Sequence, residues 1–450
     1  MDPGQEASQS SQKQQPCDKS ALCTKRQDKK GGKKKTSGDE WDTDLEENNV
    51  QQGSFYAELY LQACQQTGTL PVSQVLHHMN EETLNLNHYG LGPQRAKALA
   101  IALQNNNVVT HLELQNNDLG AEGAYYLMEM LETNPFIQSL NLSMNQLGLE
   151  GARVISKILI NNLNITSIKL SGNDLDDAAA ECLSESLQRN SAIKELNLSS
   201  NIFSEAEGKH LGDMLDDTCI EVLNLSWNNL RMKYAVALSA NLKVNSRLKE
   251  LYLSSTGFGR SEVEALGKAL KENETLVLLD LSRNRICDQA VMLLCHGLTT
   301  NSTLKVLKLF HNPMSRVGAL TLITTVRNNM NSALDEIDIS SVVVREAFVE
   351  VLEEIRQRRP SMDVRYTILP IASRNLAAFN TFKKFLEEQN KSIRDFFKSF
   401  DKEGTMIVST SAFRKAVMEA NMPLDKHQLE WLVRKFDKNF TATINYSQIC

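Results

Sequence analysis

The sequence predicts an α/β solenoid, a curved parallel β-sheet backed by helices, and three columns of residues held in register predict it. The first column is Asn117, Asn145, Asn173, Asn201, Asn228, Asn284 and Asn312, recurring about every 28 positions and each closing the pattern LxxLxLxxN. The second is a series of i, i+4 apolar pairs in one phase: Leu99/Leu103, Leu127/Leu131, Ile155/Leu159, Leu183/Leu187, Leu211/Leu215, Leu238/Leu242, Leu266/Leu270 and Leu294/Leu298. Each pair marks the buried face of one helix per unit. The third is Asn106, Asn134, Asn162, Asn190, Asn245, Asn273, Asn301 and Asn329, placed near the helix C-termini, where Asn tolerates the left-handed conformation that ends a helix.

Each unit has a physical logic. A short strand buries paired residues such as Leu112 and Leu114, Leu140 and Leu142, Leu196 and Leu198, or Leu279 and Leu281, and the turn after it sends Asn inward. The amide can then satisfy backbone groups that a curved stack would otherwise bury unpaired, which makes the first Asn column structural. The pattern fits about ten units, from Leu84 and Leu86 to Ile337 and Ile339. The Asn column breaks at Tyr89, Thr256 and Val342. Two of these fall in terminal units, where capping repeats are atypical. Thr256 is internal and still offers a hydroxyl. Residues 53–83 read as an N-terminal helical cap, with Leu59, Ala63, Val75 and Leu76 around a turn at Gly68–Pro71, and residues 84–345 as the repeats. Residues 346–375 read as a C-terminal cap and linker, with an amphipathic Phe348–Ile355 and a last strand alternating Val364, Tyr366 and Ile368.

The 450 residues carry a net charge of −6, a pI near 5.9 and 41% apolar side chains, which suits one large solenoid with smaller appendages. No strongly basic domain points to nucleic acid, and no apolar run resembles a signal peptide or a membrane span. The eight cysteines lack paired spacing, so a reducing, cytoplasmic setting is expected, and Cys287 and Cys295 are expected to pack as small apolar groups. Residues 1–52 read as a disordered tail, basic from Lys25 to Lys35 and acidic from Asp39 to Glu47. The basic cluster is either a solvated run or a nuclear-import signal.

Residues 376–450 read as a small all-α module. FDKEGTMIVSTSAF and FDKNFTATINYSQI each place Phe and Asp after an apolar helix, at the head of a twelve-residue loop with Val408 or Ile444 at its eighth position. The pair resembles EF-hands. Calcium needs oxygen ligands at positions 1, 3, 5, 7, 9 and 12, the last a bidentate Glu, with Gly at 6. The first loop has Asp401, Glu403, Thr405 and Ser409 but Met406 at position 6 and Ala412 at 12. The second has Asp437, Asn439, Thr441 and Asn445 but Ala442 and Gln448. Asp401, Glu403, Asp437 and Asn439 are therefore weak metal candidates, and neither calcium nor any other cofactor is expected. The sequence ends at Cys450, so the helix that would leave the second loop is not expected either. A degenerate, truncated pair packed around Phe396, Phe397, Phe400, Phe413, Trp431, Leu432 and Phe436 serves as a helical docking unit.

The partner surface follows from strand alternation. Numbered from the first residue of LxxLxLxxN, positions 3, 5, 7 and 8 line the concave face. In the first half they are small or polar: Asn85, His111, Glu113, Ser139, Asn141, Ser167, Lys169, Glu195 and Asn197. In the later repeats they are Val222, Trp227, Tyr252, Leu278, Val306 and Phe310, with Arg283 and His311 beside them. With strands roughly 4.8 Å apart these are expected to form a contiguous patch, and exposed aromatics beside Arg are what binding hot spots favour.

Units of this length with Gly-Ala openings (Gly123-Ala124, Gly151-Ala152, Gly318-Ala319) resemble the ribonuclease-inhibitor-like class of leucine-rich repeats. The layout, with a disordered start and an EF-hand-like end, is similar to the leucine-rich repeat-containing protein 74 group. Unlike ribonuclease inhibitors, the chain is poor in Cys and uses one repeat type. Unlike Ran GTPase-activating proteins, it mixes charges over residues 346–400 where they carry an acidic segment. No GxxxxGK[ST] motif of the kind found in NOD-like receptors occurs, and the eight histidines show neither HExxH spacing nor a nucleophile partner. The expected function is a non-enzymatic scaffold that binds protein partners on the concave face. A GTPase activator acting on a small GTPase is the alternative, and a calcium-responsive adaptor a third reading.

Overall fold

The computed structural model describes residues 43–204, 209–216, 218–230, 232–368, 371–401, 404–437 and 441–448. The basic cluster Lys25–Lys35 lies outside them, as do Glu403 and Asn439. Helix α1 spans Thr43–Thr67 and α2 Ser73–His78. Regular structure thus begins ahead of residue 53, because the Glu, Gln and Leu residues there are good helix formers that extend a helix anchored by its later turns. Tyr56, Tyr60, Ala63, Cys64, Val75 and Met79 are buried over the first repeat.

Eleven parallel strands follow in sequence order: β1 Thr83–Asn85, β2 His111–Glu113, β3 Ser139–Asn141, β4 Ser167–Lys169, β5 Glu195–Asn197, β6 Val222–Asn224, β7 Glu250–Tyr252, β8 Leu278–Asp280, β9 Val306–Lys308, β10 Glu336–Val343 and β11 Asp363–Thr367. In β1 to β10 a Leu or Ile faces the core, and in β11 Val364 does; each pairs with its counterpart in the neighbouring repeat, as in Leu84↔Leu112, Leu279↔Leu307 and Ile337↔Val364. Between them run α3 Gly92–Leu103, α4 Gly120–Leu131, α5 Gly148–Leu159, α6 Asp177–Arg189, α7 Lys209–Asp213, α8 Met232–Val244, α9 Arg260–Leu270, α10 Asp288–Leu298, α11 Arg316–Asn328 and α12 Glu346–Arg358. Helices pack about 8–10 Å apart and strands only about 4.8 Å, so stacking one of each per repeat bends the sheet to the inside of the curve. Glycines ease the tightest helix contact: a Cβ on Gly297 would collide with the Gly267 carbonyl of the preceding repeat.

Side-chain amides stitch the repeats together along both edges of the sheet. After the strands, Asn145 Nδ2 donates to the carbonyl of Leu142 in its own repeat (3.0 Å) and of Leu114 in the one before (2.9 Å). Its Oδ1 accepts from the backbone N–H of Asn117 at 2.9 Å. Asn117, Asn173, Asn201, Asn228, Asn284 and Asn312 likewise bridge to the preceding repeat through Nδ2. Before the strands, a second ladder is built by Asn106, Asn134, Asn162, Asn190, Asn245, Asn273, Asn301 and Asn329. Asn134 Nδ2 donates to the Leu103 and Asn106 carbonyls, while its Oδ1 accepts from the Phe136 and Ile137 amides. The expectation that these Asn adopt the left-handed conformation is corrected here, since none has positive φ and Asn190 sits at φ −95°. Their side chains close turns and cross repeats, which needs an amide but no left-handed backbone.

Each ladder has one internal gap. Thr256 is buried and donates Oγ1 to the Leu253 carbonyl at 2.8 Å, while its backbone carbonyl, in place of a side chain, accepts from Leu230 of the previous repeat at 3.1 Å. In the second column Thr218 stands between Asn190 and Asn245 and donates to the Met214 carbonyl.

The C-terminal helices are α13 Ile371–Glu388, α14 Ile393–Lys398, α15 Thr410–Glu419 and α16 Lys426–Phe436. They surround a separate core that includes Phe382, Phe397, Phe413 and Leu432, with Phe400, Trp431 and Phe436 partly buried against it. This part is not purely helical. Strands β12 Ile407–Ser409 and β13 Thr443–Asn445 pair antiparallel with Val408 opposite Ile444, because two extended apolar segments satisfy their backbones only by pairing.

Replacing Asn145 with Ala strands backbone donors and acceptors in two repeats and is expected to cost roughly 3 kcal/mol in urea unfolding. Thr256→Asn restores the missing bridge and is expected to gain about 1 kcal/mol. A loss of stability in Thr256→Asn contradicts the account of the ladder.

Candidate protein-binding face

The strand residues flanking each buried Leu stand on the concave side, and register fixes who neighbours whom. Val222 pairs with Glu250, Glu250 with Leu278, and Leu278 with Val306. Tyr252 lies between Asn224 and Asp280. Val222, Tyr252, Leu278, Val306 and Phe310 are all half-buried and outside the leucine core. The apolar row is not contiguous, however: Glu250 separates Val222 from Leu278 and accepts a hydrogen bond from the Tyr252 hydroxyl at 2.7 Å. Burial pushes the Tyr252 phenol above its ordinary range, and the neighbouring Glu250 carboxylate adds to the shift.

The earlier strands are polar, and part of their charge is paired across repeats. Glu113 accepts from Asn141 and from Lys169 Nζ at 3.4 Å, spanning three repeats. At the far end Arg365 bridges Glu336 and Asp363.

Position 8 is left-handed in each of the first nine repeats. His88, Asn116, Met144, Gly172, Ser200, Trp227, Ser255, Arg283 and His311 have φ between 54° and 68°. The chain must turn there to send the following Asn inward, and the turn displays the side chain at position 8 on the edge of the sheet. An L-residue pays about 1–2 kcal/mol for this conformation, which Gly and Asn largely escape. Trp227 accepts that cost while remaining 57% exposed, so its burial does not compensate. The Arg283 guanidinium lies 5.9 Å from the Trp227 ring centroid and 5.8 Å from that of Phe310, joining three repeats by cation–π contact. Phe310 in turn meets His311 edge to face.

Behind this cluster an open cleft of about 600 Å³ runs along the loop edge, lined among others by Ile202, Trp227, Gly257, Arg283 and Arg285. Ile202 and Arg285 both fall at position 10, directly after the Asn, where a reading restricted to strand positions does not look. Their exposure, 60% for Ile202, is the signal that finds them.

In the C-terminal loops both oxygens of Asp401 are engaged. Oδ1 accepts from the Thr405 amide at 3.1 Å, and Oδ2 from the Met406 amide at 2.6 Å and the Tyr446 hydroxyl at 2.8 Å. Asp437 accepts from the Thr441 and Ala442 amides, both at 2.9 Å. Desolvation pushes the Asp401 carboxyl up, but the hydrogen bonds from Tyr446, Met406 and Thr405 outweigh it and hold the group below the usual carboxylate range. Among the described residues no group of three or more His, Cys, Asp or Glu is arranged to hold a metal ion. No helix among them is long and apolar enough to cross a membrane.

The family model described as Leucine Rich repeat matches residues 105–128, 133–156, 161–184 and 300–322. The chain is a leucine-rich repeat protein. It resembles the 74 group: it is 43% identical over 68 residues to leucine-rich repeat-containing protein 74B of Homo sapiens, covering 15% of this chain and 17% of that protein. The Mus musculus 74B is 46% identical over 50 residues, 11% of this chain and 13% of that one. The aligned stretches thus span less than a fifth of either relative. Among solved structures, leiomodin-1 actin-binding site 2 is similar at 16% identity and a TM-score of 0.26, covering 34% of this chain and 90% of that one. The plant peptide hormone receptor RGFR1 in complex with RGF2 is similar at 14% identity and a TM-score of 0.35, covering 59% and 37%. The leucine-rich repeats indicate a protein–protein interaction scaffold.

Trp227→Asn relieves the left-handed strain, and even after losing the Arg283 contact it is expected to gain about 0.5 kcal/mol in chemical denaturation. A clear loss of stability contradicts the view that Trp227 is kept for display. At Asp401 the folded-state pKa is depressed, so its contribution is present at neutral pH and is lost as pH falls through and below the carboxylate range. The difference in amide exchange of β12 and β13 between wild type and Asp401→Asn is expected to shrink between neutral pH and about 3. A difference that stays constant contradicts it.

Proposed function

We propose that this leucine-rich repeat protein is a non-enzymatic scaffold that holds a protein partner on the concave side of its later repeats, through Val222, Trp227, Tyr252, Leu278, Arg283, Val306 and Phe310. The observation that carries this reading is Trp227, a large apolar side chain displayed in a strained conformation and bridged to Phe310 by Arg283. Trp and Arg dominate binding hot spots because they bury large area and lose little rotamer freedom when they are already oriented. The polar first half, neutralised internally by the Glu113–Lys169 network, would then give solubility and spacing.

The C-terminal helices are assigned to docking without calcium, since the first-position carboxylates are already held by backbone amides and Tyr446. We assign the partner to protein and not to nucleic acid or lipid.

The test is affinity capture from cell lysate, with identification by mass spectrometry, comparing wild type with a Trp227→Ala, Tyr252→Ala, Phe310→Ala variant whose circular dichroism is unchanged. Loss of a specific set of proteins is expected. An unchanged set rejects the concave face. Substoichiometric amounts of the protein are expected to leave GTP hydrolysis by small GTPases unaltered, and acceleration would favour a GTPase activator instead.

A further inference from the structure

The loop edge of the solenoid changes sign along its length. In the turns that follow the strands of the second to fourth repeats, and in the first turns of the helices they lead into, stand Asp118, Glu122, Glu150, Asp174, Asp176 and Asp177. In the corresponding turns of the seventh to ninth repeats stand Arg260, Arg283, Arg285, His311 and Arg316. The acids found there are already committed to local structure. Glu262 accepts from the Gly259 amide, and Asp288 from the Ser315 amide and hydroxyl and the Gly318 amide. Among the described residues the guanidinium groups of Arg283 and Arg285 form no ion pair, and both line the cleft that Ile202 and Trp227 wall on its apolar side.

We propose that this edge cleft binds an extended acidic peptide segment of a partner protein. Arg283 and Arg285 take its carboxylates, and an adjoining apolar side chain rests on Ile202 and Trp227. The proposal rests on the protein-binding reading above and names the chemistry of the partner. Three physical arguments carry it. Guanidinium groups recognise carboxylates through paired, charge-assisted hydrogen bonds, and these two meet no carboxylate among the described residues. Arg283 is already oriented between Trp227 and Phe310, so little further side-chain freedom is lost when a carboxylate arrives. The cleft is lined by four successive repeats, from Asn201 to Arg285, which at about 4.8 Å per strand is some 14 Å, the length of four or five extended residues. A polyanion such as RNA is a poorer match, because the cleft offers two cations beside exposed apolar surface on a chain of net charge −6.

The test is selection of phage-displayed random twelve-residue peptides on the full-length protein, with the selected peptides then synthesised and titrated. The expected peptides pair Asp or Glu with an apolar neighbour. Their affinity should fall at least about tenfold in Arg283→Gln, Arg285→Gln, fall when their acids are changed to amides, and weaken with salt. Arg285→Lys, which keeps the charge and loses the fork, should fall in between. Selected peptides without acidic bias, affinity unchanged in the double variant, or no selected peptide at all would each overturn the proposal. A twelve-nucleotide RNA that binds more tightly than every peptide and is lost in the double variant overturns it too. If neutral peptides emerge whose binding is lost in Tyr252→Ala, Leu278→Ala, the cleft proposal fails while the concave-face reading stands. If neither variant changes any binding, both fail.

Discussion

A buried side-chain amide that reaches from one repeat to the next is the interaction on which the rest of this structure depends. A three-residue strand gives its neighbour few backbone hydrogen bonds, and the turns on either side would bury peptide groups with no partner. In most repeats one Asn after the strand and one before it supply donor and acceptor together, so those repeats are fixed at both edges of the sheet. Asn145 is typical, tying the backbone of its own repeat to that of the one before through three hydrogen bonds. Because the Asn must point inward, the residue before it is forced into the left-handed region with its side chain outward. The same constraint that builds the solenoid therefore creates a row of display positions along its edge.

What occupies that row differs along the chain. The early repeats carry His88, Asn116, Met144, Gly172 and Ser200, mostly small or polar residues, beside strands in which Glu113 and Lys169 are paired. Trp227 and Arg283 mark the later repeats, where both Asn ladders are also interrupted, at Thr218 and Thr256. Weaker stitching and costlier display residues coincide with the open cleft. Sites that bind partners commonly give up some stability in this way.

Much of this was legible in the sequence. The LxxLxLxxN pattern fixes the phase of every strand because its two core leucines leave no second way to bury the chain, and the eleven strands pair one repeat at a time. Pattern reading failed where side chains do something that periodicity does not encode. The position of the Asn residues before the strands suggests a backbone role, whereas it is their side-chain amides that act. The apolar concave residues look contiguous when listed, yet Glu250 comes between Val222 and Leu278 once the strands are in register. Ile202 and Arg285 were invisible because they lie beyond the strand. In the C-terminal loops, poor ligand sets were readable, whereas the hydrogen bond joining Tyr446 to Asp401 across 45 residues was not.

The central claim is that the edge of the later repeats, and not the solenoid surface in general, meets a protein partner. The most direct measurement is photo-crosslinking in cell lysate from p-benzoylphenylalanine placed at residue 227, compared with the same group at residue 88. The two positions share the left-handed backbone and outward display, at φ 59° and 68°, and differ in the surface around them. The account predicts a discrete protein adduct from position 227 and none from position 88. Equal adducts from both positions, or none from 227, would contradict it.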